Sequence, residues 1–223
     1  MPFDARFRNP STFILAGSSQ SGKTTLTFNI LRHIETMFQD PRCRHNIIYF
    51  YNQWQSSYDS FKKENIVKEW INKLPTEEDI REKTMLHKNK GGSVLVIDDF
   101  AQELTKDIAT LFTVLSHHTN SVVILLTQNI FAKVKGFRDM SLNATYVILF
   151  KNPRDSSQIE HFARQVARSD IAWLIRAFEE ATKRPFSYLL FDFHQQTPIP
   201  LRIRTCILPG GDEPIGCWVK KNK

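Results

Sequence analysis

"FILAGSSQSGKTTL", residues 13–26, decides how the rest of the chain is read. Four apolar or small residues give way to a run of small polar ones, which ends in Gly22-Lys23-Thr24. A run so poor in bulky side chains does not build a core. "TFILAG" (12–17) reads as a buried strand, and "GKTTLTFNILRHIETMF" (22–38) as a helix carrying Leu26, Ile30, Ile34 and Phe38 on one face. Between them, Gly17 to Thr24 match G-x-x-x-x-G-K-[ST] without a gap, in the strand–loop–helix context that gives this pattern meaning. The backbone N–H groups of Ser18, Ser19, Gln20, Ser21 and the helix start through Thr25 would form a concave nest for phosphate oxygens, helped by the positive end of the helix. Gly17 and Gly22 permit backbone angles and close approaches denied to other residues. Lys23 would place a point charge on the β- and γ-phosphates, and the Thr24 hydroxyl would ligate Mg²⁺.

Apolar runs and helical patterns then alternate. "NIIYFY" (46–51), "SVLVIDDF" (93–100), "SVVILLTQN" (121–129) and "ATYVILFK" (144–151) read as further strands. Helical patches fall around 61–74 and 77–88, the second opened by Pro75-Thr76 and two glutamates. Residues 102–118 form a helix with Leu104, Ile108, Leu111, Val114 and Leu115 on its face. Residues 155–182 form another, broken near Ser169-Asp170. "FSYLLFDFH" (186–194) and "LRIRTCIL" (201–208) close the chain as a hairpin. Continuously apolar strands alternating with helices imply an α/β fold, a mainly parallel sheet between helical layers, here with a C-terminal antiparallel extension. The expected organisation is one P-loop ATPase domain over 1–210 and a flexible basic tail over 211–223.

Asp98 emerges at the C-terminal end of its strand, where open α/β sheets bind ligands, and would hold Mg²⁺ together with Thr24. Asp99 follows directly, placed to orient or deprotonate an attacking water; as a bare turn residue or helix cap it would do neither. Gln128 follows "VVILL", where a side-chain amide could reach both that water and the γ-phosphate. This requires the 121–129 strand to lie between the P-loop strand and the Asp98 strand, the order of the P-loop ATPases that use a strand-borne acid and a polar sensor. The guanine-reading N-K-x-D motif does not occur, so ATP is favoured over GTP.

The 223 residues carry a net charge of +7, with a pI near 9.4, which favours a polyanionic partner. Three cysteines (Cys43, Cys206, Cys217), none in a C-x-x-C pair, suit a reducing intracellular setting. Cys43 and His45 are too few for a zinc site. No secretory h-region opens the chain, and no apolar run approaches the roughly 18–20 residues that span a bilayer. Trp54, Tyr58 and Phe61 read as core, with adenine stacking or subunit packing as alternatives.

"GSSQSGKTT", "VLVIDDF", "LLTQNIF", "KGFRDMSLNATYVILFKNPRD" and "YLLFDFHQQTPIPLRIRTCILP" together resemble the viral genome-packaging ATPases of the FtsK–HerA superfamily, over about residues 9–210. The resemblance is to the poxvirus-type branch, which also occurs in adintoviruses and Polinton/Maverick transposons. It implies a RecA-like (ASCE) fold and an ATP-driven motor that pumps double-stranded DNA into a capsid. It also implies a homo-oligomeric ring, a capsid or portal partner, and a place in the host cytoplasm or nucleus or in the virion. Motors of this type commonly complete each site with an arginine from the neighbouring subunit. Arg138, in an expected loop, is the first candidate and Arg154, in "KNPRD", the second; each adjoins an aspartate that could instead pair with it. Members often carry Glu after the Mg²⁺ aspartate, where this chain has the shorter Asp99.

Residues 132–176 hold eight Lys or Arg against four acids, more than half of the net charge. Lys133 and Lys135 are the candidate DNA contacts, gripping phosphates without reading sequence. Two other readings stand beside the motor: a P-loop kinase acting on a small molecule, and a non-catalytic domesticated transposon relic that binds nucleotide or DNA.

Overall fold

The computed structural model describes residues 4–100, 106–131, 137–167, 169–211 and 213–220. Among these residues, nine strands form one sheet: β1 (Ser11–Ala16), β2 (Ile47–Tyr51), β3 (Glu69–Ile71), β4 (Ser93–Asp98), β5 (Ser121–Thr127), β6 (Tyr146–Phe150), β7 (Tyr188–Asp192), β8 (Ile203–Thr205) and β9 (Gly216–Cys217). Their order is β3-β2-β4-β5-β1-β6-β7-β8-β9. The strands from β3 to β6 pair in parallel, and β7, β8 and β9 add an antiparallel edge. This is the mixed α/β architecture that the alternating pattern implies.

The continuous apolar runs are explained by burial on both faces. Phe13 and Leu15 of β1, Val94 and Val96 of β4, and Ile124 of β5 point into one core. That core is roofed by α1 (Lys23–Arg32), α2 (Ile34–Met37) and α3 (Ser56–Lys63), through Leu26, Phe28, Ile34, Tyr58 and Phe61. Ile14, Leu95, Ile97 and Leu125 point the other way. There they meet α4 (Glu77–Met85), the segment α5 (Lys106–Thr110) to α6 (Ser116–His118), α7 (Phe137–Asn143), α8 (Ser157–Val166) and α9 (Ile171–Ala181). Neighbouring strands are about 4.8 Å apart, so residues at the ends of adjacent strands become neighbours in space.

Several boundaries differ from the sequence reading. The helix from Lys23 stops at Arg32. The His33 N–H is shared between the Asn29 and Ile30 carbonyls, both at 3.2 Å, and the short α2 follows. Residues 69–71 are a strand rather than helix, because Trp70 packs on Tyr49 and Phe28 at the sheet edge. A π-helical turn over Leu111–Leu115 shifts the helical phase; Phe112 and Leu115 are buried while Val114 is exposed. Leu104 lies outside the described residues. Thr76 does open α4, with a reciprocal capping box to Asp79. Gly216–Cys217, assigned from sequence to the tail, pairs with Arg204 and Thr205 of β8, and the Trp218 N–H donates to the Ile203 carbonyl at 2.9 Å. Trp218 packs on the core, which gives the segment a reason to order. No helix among the described residues is long and apolar enough to cross a membrane.

Candidate nucleotide-binding site

β1 delivers Gly17 to the C-terminal edge of the sheet. A Cβ there would lie 2.6 Å from Phe150 Cβ and 2.8 Å from Ser21 Oγ, so only glycine fits. The loop turns back through Gln20 (φ 62°) and Gly22 (φ 101°), and Gly22 caps α1 with no side-chain partner for the first N–H groups. Those groups remain available to an anion. Ser21 Oγ is buried beside them without a hydrogen-bond partner. Lys23 folds over the loop and donates to the carbonyls of Gly17 (2.7 Å) and Ser18 (2.8 Å). Burial holds its ammonium below the usual lysine range, against the opposing charges of Asp98 and Asp99.

Register brings the other residues to the same edge. Ala16 pairs with Thr127, and Asp98 with Leu126 and Tyr51. The Gly17 N–H donates to the Thr127 carbonyl at 3.2 Å. β5 therefore separates β4 from β1, and Gln128 emerges between the loop and Asp98, the order that the expected sensor role requires. Thr127 and Asn129 are used locally: Thr127 Oγ1 lies 3.1 Å from the Asn129 carbonyl, and Asn129 Oδ1 accepts from the Phe131 N–H at 2.6 Å. Gln128 is exposed, and its amide makes no hydrogen bond among the described residues.

Asp98 is only 4% exposed. Its Oδ2 accepts from Tyr49 at 2.6 Å and Tyr58 at 2.7 Å, and the Thr24 hydroxyl lies 3.5 Å away. No hydrogen bond reaches Oδ1 from the described residues. Burial pushes the carboxyl upward; the two phenols and Lys23 pull it back, and Asp99 adds to the rise. Burial and the Asp98 charge push both phenols far above the ordinary tyrosine range, so they remain donors. Asp99 is exposed in the left-handed region (φ 66°), and its carbonyl accepts from Asn52 at 3.3 Å. Any cap it gives to residues 101–105 lies outside the described residues.

The sequence does not reveal the phenol pair: Tyr58 reads there as core, with adenine stacking or subunit packing as alternatives, and Tyr49 as one residue of an apolar strand. The available signal was a tyrosine inside an otherwise apolar strand, on the strand next to a buried carboxylate. Hydrogen bonds to a charged group are worth about 1.5–3 kcal/mol, and losing one leaves a buried acceptor short of a donor. Tyr49→Phe and Tyr58→Phe should therefore each lower unfolding free energy by about 2 kcal/mol, read from urea denaturation. Two variants as stable as the wild type would show that the phenols do not support Asp98.

The arginines sit differently from expectation. Arg138 lies in the first turn of α7 rather than in a loop, because Phe137 and Met140 bury the other side of that helix; Arg138 itself is exposed. Arg154 is exposed in the turn after β6. Neither forms an ion pair with its neighbouring aspartate. Asp155 accepts instead from the Ser157 N–H and Gln158, and Asn143 donates to the Asp139 carbonyl at 2.7 Å. Lys133 and Lys135 lie outside the described residues. Trp54 is partly exposed, ringed by Tyr51, Tyr58 and Trp70, while Phe61 stacks on Phe28 at 3.6 Å in the core. The Cys43 thiol is buried, pushed up to about 11, and donates to the Asp40 carbonyl. No cluster of three metal-ligating His, Cys, Asp or Glu side chains occurs among the described residues.

Among solved structures, the chain is similar to the genome packaging NTPase B204 from Sulfolobus turreted icosahedral virus 2. With that protein in complex with ATP-gammaS the TM-score is 0.58 at 16% identity, covering 88% of this chain and 96% of the other. With its AMPPCP complex the TM-score is 0.59 at 17% identity, covering 88% and 97%. The fold is that of the P-loop NTPases. No family model matches the chain, and no curated protein does.

Proposed function

We propose that this chain is an ATP-hydrolysing motor that moves double-stranded DNA, packaging a viral or virus-like transposon genome of the FtsK–HerA, poxvirus-like kind. The observation that carries the reading is the convergence of Lys23, Thr24, Asp98, Asp99 and Gln128 on one edge of three adjacent strands, β4, β5 and β1. Likeness to the fold of a genome packaging NTPase supports it. Nucleotide phosphates would take the N–H groups of residues 18–25, and Lys23 would exchange the Gly17 and Ser18 carbonyls for phosphate oxygens. A hydroxyl next to a carboxylate whose second oxygen takes no hydrogen bond from the described residues suits Mg²⁺; Thr24 and Asp98 would hold it. When bound, that ion supplies charge neutralisation at the phosphates. Asp99 would accept a proton from water, and Gln128 would orient that water toward the γ-phosphate.

The rest of the motor follows on the same reading. Arg138 from a neighbouring subunit of a ring, with Arg154 as second choice, would complete each site. Lys133 and Lys135 would grip DNA phosphates. The ring would dock on a capsid or portal, within the host cell or the virion. Steady-state phosphate release from ATP tests the chemistry against kinase action. Release to water supports the reading; transfer to a nucleoside or other small acceptor, with no hydrolysis, overturns it.

A further inference from the structure

The cavity that opens from the phosphate loop encloses about 520 Å³. Gln20 to Thr24 form one end. From there it runs along the flank of α1, past Thr25 to Asn29, about 6 Å of helix rise beyond the phosphate end. Phe186, Tyr188 and Leu208, from the antiparallel side of the sheet, also line it. Phe186 stands in the turn before β7, with φ at 64°, and is 70% exposed. An aromatic ring in water forgoes its burial energy, and the left-handed backbone costs a non-glycine residue more. No other ring stacks on it among the described residues. It also lies against the loop itself, since a Cβ at Gly22 would meet Phe186 Cβ at 3.3 Å.

Two amides face the same space. Asn29 Oδ1 is taken by Arg32 Nη1 at 2.6 Å, and its NH₂ makes no hydrogen bond among the described residues. Gln55, just before α3, lines the cavity and its side chain makes no hydrogen bond among the described residues, which leaves a donor and an acceptor for a ligand. A paired donor and acceptor of this kind matches the edge of adenine.

The geometry points to Phe186 as the platform on which the nucleotide base stacks, with Gln55 at the base edge. This rests on the phosphate-site reading and adds that the site selects a purine nucleoside triphosphate over bare triphosphate. Base–aromatic stacking is typically worth about 5- to 100-fold in affinity.

Isothermal titration with ATP and with inorganic tripolyphosphate separates the two claims. Wild-type protein should bind ATP at least about tenfold more tightly than tripolyphosphate. Phe186→Ala should lose about tenfold for ATP and nothing for tripolyphosphate, and Phe186→Trp should keep the wild-type preference. Unchanged ATP affinity in Phe186→Ala would overturn the proposal. So would an equal loss for both ligands, which would make Phe186 a prop for the loop. Wild-type protein that binds neither ligand would overturn the phosphate site and the platform with it; tripolyphosphate binding without ATP preference would overturn the platform alone.

Discussion

Lys23→Ala protein should release phosphate from ATP at least about 100-fold more slowly than wild type while keeping its fold. Lys23 is the one cation inside the loop, and its Nζ spans two loop carbonyls where phosphate oxygens would lie. On the proposed reading its charge would meet the charge that develops on the transferred phosphoryl group, inside a part-buried site where such interactions are strong. Stability should move little, by about 1 kcal/mol or less, because burial already disfavours the ammonium and offsets its two hydrogen bonds. Malachite-green phosphate release, paired with a thermal melt, checks both halves. A folded Lys23→Ala variant that still turns over within tenfold of wild type would remove the loop from the chemistry.

Mixing two inactive variants should restore activity. Arg138→Ala alone is expected to lose about 1000-fold, the scale of an arginine that stabilises the transferring phosphoryl group. Arg138 is exposed on α7 and free of Asp139, as a residue reaching into a neighbour's site must be. In a ring assembled from equal amounts of Lys23→Ala and Arg138→Ala subunits, about a quarter of the boundaries would join an intact loop to an intact arginine. Turnover should recover toward about a quarter of wild type. Arg154→Ala, tested in the same mixture, distinguishes the second candidate. An Arg138→Ala protein with full activity excludes Arg138, and a mixture that stays inactive places the arginine within its own subunit.

The sheet was largely legible in sequence because its strands are buried on both faces and therefore uninterrupted by polar residues. The loop was legible because its function needs specific residue types at fixed spacing: Gly17 against Phe150, Gly22 in the left-handed region, Lys23 and Thr24 at the helix start. The position of Gln128 depends on strand order, which spacing alone does not dictate; β5 between β4 and β1 supplied it. Tyr49 and Tyr58 converge on Asp98 from 49 and 40 positions away, a contact that only the fold creates. β3 escaped because three residues are too few for a period, and its pairing depends on Trp70 finding Tyr49 and Phe28 across the sheet edge. Arg138 looked like a loop residue because α7 is only two turns long and is held by Phe137 and Met140 rather than by its own pattern.

The rate of ATP turnover with and without double-stranded DNA tests the proposed coupling of the phosphate site to DNA. Duplexes of unrelated sequence should stimulate hydrolysis equally and severalfold. The stimulation should fade as salt rises from about 50 to about 200 mM, as contacts made to phosphates require, and Lys23→Ala should show none. Turnover that is indifferent to DNA at low salt, or that answers to one sequence alone, would contradict it.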